Sequence, residues 1–147
     1  MEKQIKLVTI WHQKFGVPYQ DFPNGEPCDN AGLRELIMVE EVSEWAEASR
    51  KGLPISSRAK ELADILFTVF GTIITEGLQD EMEQVFDAVY ESNMSKLGED
   101  GLPVKRADGK ILKGPNYKEP DLNFLNDRPK GCFECGLLWK DCQCLPY

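Results

Sequence analysis

Apolar residues at Leu7, Val8, Trp11 and Phe15 recur at helical spacing across residues 4–15, and Gly16 and Pro18 end that stretch. From there to Asn30 the chain is rich in Pro, Gly, Asp and Asn and reads as an irregular loop. Helical spacing returns over residues 31–50, through Leu33, Leu36, Ile37, Val39, Val42, Trp45, Ala46 and Ala48, and Gly52-Leu53-Pro54 stops it. Ser56 or Ser57 is the expected N-cap of a third helix reaching to about Glu76. The centre of that helix, Leu62 to Ile74, is apolar on nearly every side, a pattern expected to lie buried between other helices. Gly77 closes it. A fourth helix is expected from about Gln79 to Lys96, with Met82, Val85, Phe86, Val89 and Met94 apolar and Asp80, Glu81 and Glu83 suited to its first turn. Residues 98–131 lose the periodicity and are dominated by Gly, Pro, Asp, Asn and Lys. A stretch of that length is either a functional flap or disordered.

Four helices joined by short turns predict an all-α fold: a four-helix-bundle core over residues 1–97, an extended segment over 98–131 and a small cysteine-rich tail over 132–147. A chain of 147 residues suits one compact domain plus a tail. One almost wholly apolar helix asks for more burial than a lone bundle supplies, so a homo-oligomer, dimer or tetramer, is expected. The apolar run Ile65–Ile74 is about half the roughly 20 residues of a membrane span. Met1-Glu2-Lys3-Gln4 shows no leader-like apolar stretch, and a cytoplasmic protein is expected.

Charge narrows the partner. The net charge is −8, and residues 1–97 hold 17 acids and 9 bases against 8 and 8 in residues 98–147. An acidic body argues against duplex nucleic acid, whose phosphates need a positive face. The later segment carries Lys105, Arg106, Lys110, Lys113 and Lys118. An acidic body with a basic flap suits a small phosphorylated molecule if metal ions supply the missing charge.

The acids themselves are patterned. Glu41 and Glu44 stand three apart and project from nearly one helix face, and Glu61 and Asp64 repeat the device on the next helix. If the two helices pack antiparallel, as a short connection requires, the pairs converge. Glu61 and Asp64 flank an apolar segment, Leu62, Ala63, Ile65 and Leu66, where unpaired acids are expensive. Carboxylates without nearby His or Cys suit Mg²⁺ or Mn²⁺ rather than zinc. The competing reading is a set of solvated face charges, as Glu35 and Glu47 are expected to be; two pairs on consecutive helices in apolar surroundings favour the metal.

The pattern Glu40-Glu41-x-x-Glu44, sixteen residues, then Glu61-x-x-Asp64 resembles the EExxE...ExxD signature of the MazG-like all-α nucleoside triphosphate pyrophosphohydrolases, a superfamily that includes phosphoribosyl-ATP pyrophosphohydrolases. Trp11-His12-Gln13-Lys14-Phe15-Gly16 and Leu33-Arg34 are similar to the entry helix of its phage and bacterial members. Glu91-Ser92-Asn93-Met94-Ser95-Lys96-Leu97, Asp108 to Tyr117 and Pro120-Asp121-Leu122 are similar to their C-terminal segment. The resemblance implies Mg²⁺-dependent hydrolysis of (deoxy)nucleoside triphosphates to the monophosphate and pyrophosphate by water attack at the α-phosphorus. It implies Glu41, Glu44, Glu61 and Asp64 as metal ligands, and Glu40 as a further ligand or, with Glu41, part of the catalytic pair that prepares the water. Its natural setting is nucleotide-pool control in a bacterial or phage-infected cytoplasm, including removal of a purine such as dGTP. Two alternatives stand beside it: phosphoribosyl-ATP hydrolysis, and a non-catalytic metal-binding helical interaction module.

The resemblance also implies that Asn93 and Lys96 contact substrate, although a lysine near a helix end equally complements the helix dipole. Lys110 and Lys113, on a Gly-flanked loop, are candidates to close over phosphates, in the same chain or a neighbouring subunit, or else are ordinary solvated bases. Trp11, His12, Phe15 and Trp45 are candidates for a nucleobase pocket, with Trp11 and Trp45 more simply core and His12 equally an ordinary polar surface residue. Cys132-x-x-Cys135 and Cys142-x-Cys144 gather four of five cysteines into thirteen residues, which suits a structural Zn²⁺ or plain reduced thiols. Cys28 stands alone as a free thiol.

Overall fold

A computed structural model describes residues 1–23 and 28–126. Its helices are α1 (Glu2–Phe15), α2 (Ala31–Arg50), α3 (Ile55–Thr75), α4 (Met82–Met94) and the single turn α5 (Asn123–Asn126). No strand occurs among the described residues, only the isolated bridges Leu97 to Pro103 and Lys105 to Ile111. The fold is all-α as expected. No helix among the described residues is long and apolar enough to cross a membrane. The cysteine tail, with Cys132, Cys135, Cys142 and Cys144, lies outside the described residues.

The chain divides into two compact units, Met1–Asp80 and Glu81–Tyr147. In the first, α3 is the central element and both α1 and α2 pack on it. Arg34 and Met38 of α2 meet Thr68 and Thr72 of α3, whereas Glu41 meets Glu61 and Asp64, so the two helices run antiparallel. The core is lopsided. Ile5, Val8, Ala48, Phe70, Ile73 and Ile74 are buried apolar side chains of this core, the five larger ones each worth about 1.5–3 kcal/mol of transfer free energy. Every buried residue of α3 falls between Thr68 and Thr75. Its first half remains open in the single chain, with Leu62 at 48% and Leu66 at 54% exposure and Phe67 and Val69 also exposed. The expectation of a fully buried third helix is therefore met over only half its length.

Two close approaches fix this unit. Arg34 donates from Nη2 to the Thr68 carbonyl at 2.5 Å and from Nε to Thr72 Oγ1 at 3.1 Å. Gly71 permits this, because a Cβ there would stand 2.5 Å from Arg34 Nη2 and 3.1 Å from His12 Nε2. At the end of α3, Gly77 takes φ 72° and passes against the backbone of Phe22, 2.3 Å from where its Cβ would be. The amide of Leu78 then reaches back to the carbonyl of Ile73 at 2.9 Å, closing the helix.

Two helix starts differ from expectation. α3 begins at Ile55 behind Pro54, at φ −50° and ψ 152°, so Ser56 and Ser57 fall inside its first turn and neither caps it. The Pro54 carbonyl takes the amides of Ser57 and Arg58 at 3.0 and 3.2 Å, and the fixed φ of proline holds it in place, so the helix starts directly after it. α4 starts at Met82, after a turn over residues 79–81, rather than at Gln79. Gln79 instead donates from Nε2 to the carbonyls of Gln20 and Asp21, at 3.0 and 2.6 Å, a tie to the α1–α2 loop that competes with helix extension.

In the second unit the segment after α4 is ordered by return contacts. Ser92 Oγ donates to the Lys118 carbonyl at 2.7 Å, the Lys118 amide donates to Ser95 Oγ at 2.8 Å and the Gly114 amide donates to the Lys96 carbonyl at 3.1 Å. Between them a hairpin turns at residues 106–110, with the Arg106 amide on the Lys110 carbonyl and Asp108 holding the Arg106 guanidinium.

Candidate metal centre

Near the open end of the α2/α3 groove three carboxylates converge. Glu41, Glu61 and Asp64 each place an oxygen within 4.8 Å of the others, and all three residues are half-buried. Glu61 and Asp64 share a face because they lie three apart on α3, and Glu41 reaches them from the antiparallel neighbour. Like charges at this spacing repel by on the order of a few kcal/mol per pair even in partly solvated surroundings. The result is visible at Glu41, whose carboxyl is held above its ordinary pKa by burial first, then by the charges of Asp64 and Glu44, with Lys60 pulling the other way.

A cation already sits on these oxygens. Lys60 Nζ lies 3.0 Å from Glu61 Oε2 and 2.9 Å from Asp64 Oδ2, and these bonds push its ammonium well above the usual lysine range. The donor set is oxygen only, three carboxylates with no nitrogen or sulfur among the clustered groups, which suits a hard divalent ion. The residues therefore fit a divalent metal.

Glu44 and Glu40 stand just outside the three-oxygen cluster. Both are exposed, and both charges act on Glu41. Glu35 and Glu47 are exposed, Glu47 paired with Lys51.

His12 lies in the interior rather than on the surface, 1% exposed, with Nδ1–H donating to the Pro18 carbonyl at 3.2 Å. Phe15, on the same helix, is 67% exposed and stacks on Trp11 at 4.7 Å, and Trp11 in turn meets Phe67 of α3 edge-on at 5.4 Å. Cys28 is buried, and burial together with Glu76 pushes its thiol up and keeps it protonated.

The remaining candidates lie in the second unit. Lys96 Nζ donates to Asn93 Oδ1 at 2.5 Å, so these two share one face of the α4 terminus. Lys113 is held by Glu119 at 2.9 Å and lies over the Tyr117 ring at 4.0 Å, while Lys110 is exposed in the hairpin turn. Sequence reasoning missed Lys60, although a lysine directly before Glu61 and four before Asp64 is a legible ion-pair signal. It also missed Phe67, set in an apolar run where nothing distinguishes an exposed aromatic partner of Trp11 from a core residue.

No curated protein matches this chain. The family model described as phosphoribosyl-ATP pyrophosphohydrolase matches residues 8–93, which takes in most of α1, all of α2 and α3, and α4 short of its last residue. That span holds every carboxylate of the cluster, and the activity it carries is of the pyrophosphohydrolase type. With more than half of its length matched, the chain belongs to the phosphoribosyl-ATP pyrophosphohydrolase family, within the all-α nucleoside triphosphate pyrophosphohydrolase superfamily.

Proposed function

We propose that the protein is a Mg²⁺-dependent nucleoside triphosphate pyrophosphohydrolase, releasing a nucleoside monophosphate and pyrophosphate, that acts in nucleotide-pool control. The observation that carries this reading is the convergence of Glu41, Glu61 and Asp64 oxygens within 4.8 Å across two helices. Glu41, Glu61 and Asp64, with Glu44 from the next turn, would hold Mg²⁺ or Mn²⁺. When bound, the ion supplies charge neutralisation of the polyphosphate and a lowered pKa for a coordinated water.

The chain's own groups do the rest. Glu40, exposed beside the cluster, accepts the proton of the attacking water as the new bond to the α-phosphorus forms and the bridge to the β-phosphate breaks. Asn93 and Lys96, with Lys110 and Lys113 from the hairpin segment, bind phosphate and sugar oxygens. The exposed face of Phe15, backed by Trp11, is a platform for a nucleobase, with His12 fixing the helix behind it. The four tail cysteines would hold a structural Zn²⁺.

A homo-oligomer accompanies this reading. Leu62, Leu66 and Val69 form an exposed stripe along one face of α3, and Leu36 and Val39 are exposed on α2. Burying such a surface against a second copy removes it from water.

Incubation with Mg²⁺ and each of the eight common ribo- and deoxyribonucleoside triphosphates tests the reaction. Monophosphate plus pyrophosphate, lost in Glu44→Ala and Glu61→Gln, is the expected result; diphosphate plus phosphate would sink it. The family description favours a second substrate, phosphoribosyl-ATP, and turnover of that compound alone would replace the first reading.

A further inference from the structure

We propose that Lys60 is a substrate-binding residue held in reserve: its ammonium occupies the carboxylates until the metal takes them, and then moves onto the polyphosphate. This rests on the metal reading of the Glu41, Glu61 and Asp64 cluster given above. The geometry is direct. Lys60 Nζ contacts one oxygen of Glu61 and one of Asp64, at 3.0 and 2.9 Å, and these residues supply two of the three clustered acids. A divalent ion drawn to those oxygens displaces a monovalent ammonium from the same place, because two positive charges cannot share it without repulsion.

Displacement is easy. The Lys60 side chain is 63% exposed and makes no hydrogen bond or ion pair beyond those with Glu61 and Asp64 among the described residues, so it swings on a flexible four-carbon stem. Once free it remains attached one residue from Glu61, beside whatever the metal holds. A nucleoside triphosphate brings a dense anionic charge to that position, and an ammonium with three donors suits phosphate oxygens as a mobile point charge. One side chain thus neutralises the acids in the metal-free protein and the phosphates in the loaded one.

The test measures binding, not turnover. Mn²⁺ affinity is read by electron paramagnetic resonance without polyphosphate, and inorganic tripolyphosphate affinity by calorimetry at saturating Mn²⁺, for the wild type, Lys60→Met and Lys60→Arg. Lys60→Met is expected to bind Mn²⁺ about fivefold more tightly, the scale of losing one exposed ion-pair competitor. It is expected to bind tripolyphosphate about tenfold more weakly, the scale of one charge-assisted hydrogen bond. Lys60→Arg is expected to stay near the wild type in both. Absence of either change in Lys60→Met overturns the proposal. Failure of wild type and variant alike to bind Mn²⁺ removes the metal reading itself, and the proposal with it.

Discussion

Arg34 reaches from α2 to the backbone of α3 and donates to the Thr68 carbonyl at 2.5 Å, through a gap that exists only because residue 71 has no side chain. Helix spacing in the first unit is therefore set by one missing methyl group. Gly71→Ala places a carbon 2.5 Å from the Arg34 guanidinium and 3.1 Å from His12, and both must move within packed surroundings. Overpacking of this kind costs about 1–3 kcal/mol, readable as a shifted urea midpoint. Gly77→Ala should cost more, since it combines a left-handed backbone with a backbone collision at Phe22 that no rotamer relieves.

The acidic cluster predicts the opposite pattern. Glu41→Gln removes a charge that burial and its acidic neighbours disfavour, and Glu61→Gln and Asp64→Asn each give up only one contact with an exposed lysine, so all three should leave the melting temperature close to that of the wild type. Pyrophosphate release should nevertheless fall by about a hundredfold or more, the scale of losing one group that stabilises developing charge. Parallel melts and steady-state assays check both halves, and a variant that loses stability and activity together would contradict the assignment.

How far the sequence carries can be seen on α2 and α3. The i,i+3 spacing of Glu61 and Asp64, and the forced antiparallel turn at Gly52-Leu53-Pro54, were enough to bring Glu41 against them, because helix geometry translates spacing into direction. Ser56 and Ser57 misled for a physical reason: a proline two residues earlier decides the start before any hydroxyl can. The excess apolarity of α3 already asks for cover beyond one chain, but which half stays open was not legible, because an apolar residue reads the same whether its cover comes from its own chain or another. His12 illustrates the same limit, since whether an imidazole faces inward depends on a glycine 59 residues away.

His12 predicts a pH dependence. Burial, with the nearby Arg34 charge adding to it and the Pro18 hydrogen bond opposing, holds its pKa below the ordinary 6.5. The folded chain keeps the ring neutral where the unfolded chain takes up a proton, so this contribution is complete above that value and is lost as pH falls below it. His12→Asn keeps a donor for Pro18 and removes the titration. The melting-temperature gap between wild type and variant should narrow steadily from about pH 7.5 to about pH 5.5; a constant gap would sink the idea.

The open face of α3 predicts assembly. Leu62→Glu with Leu66→Glu puts two charges on the exposed apolar stripe, which should convert a dimer or tetramer to a monomer in light scattering while circular dichroism stays helical. A monomeric wild type would remove the basis for this prediction.

α3 divides its labour along its length. Every residue it buries lies from Thr68 onward, and its own two carboxylates of the cluster, Glu61 and Asp64, lie before that point, on the half that adds little to cohesion. With Lys60 standing in on the same oxygens, stripping the protein with a chelator should silence it without melting it. Dialysis against EDTA should leave the unfolding curve in place, and adding Mg²⁺ back should restore turnover at once with no refolding lag. On the metal reading, such a protein would stay folded while idle, and the ion alone would set it working.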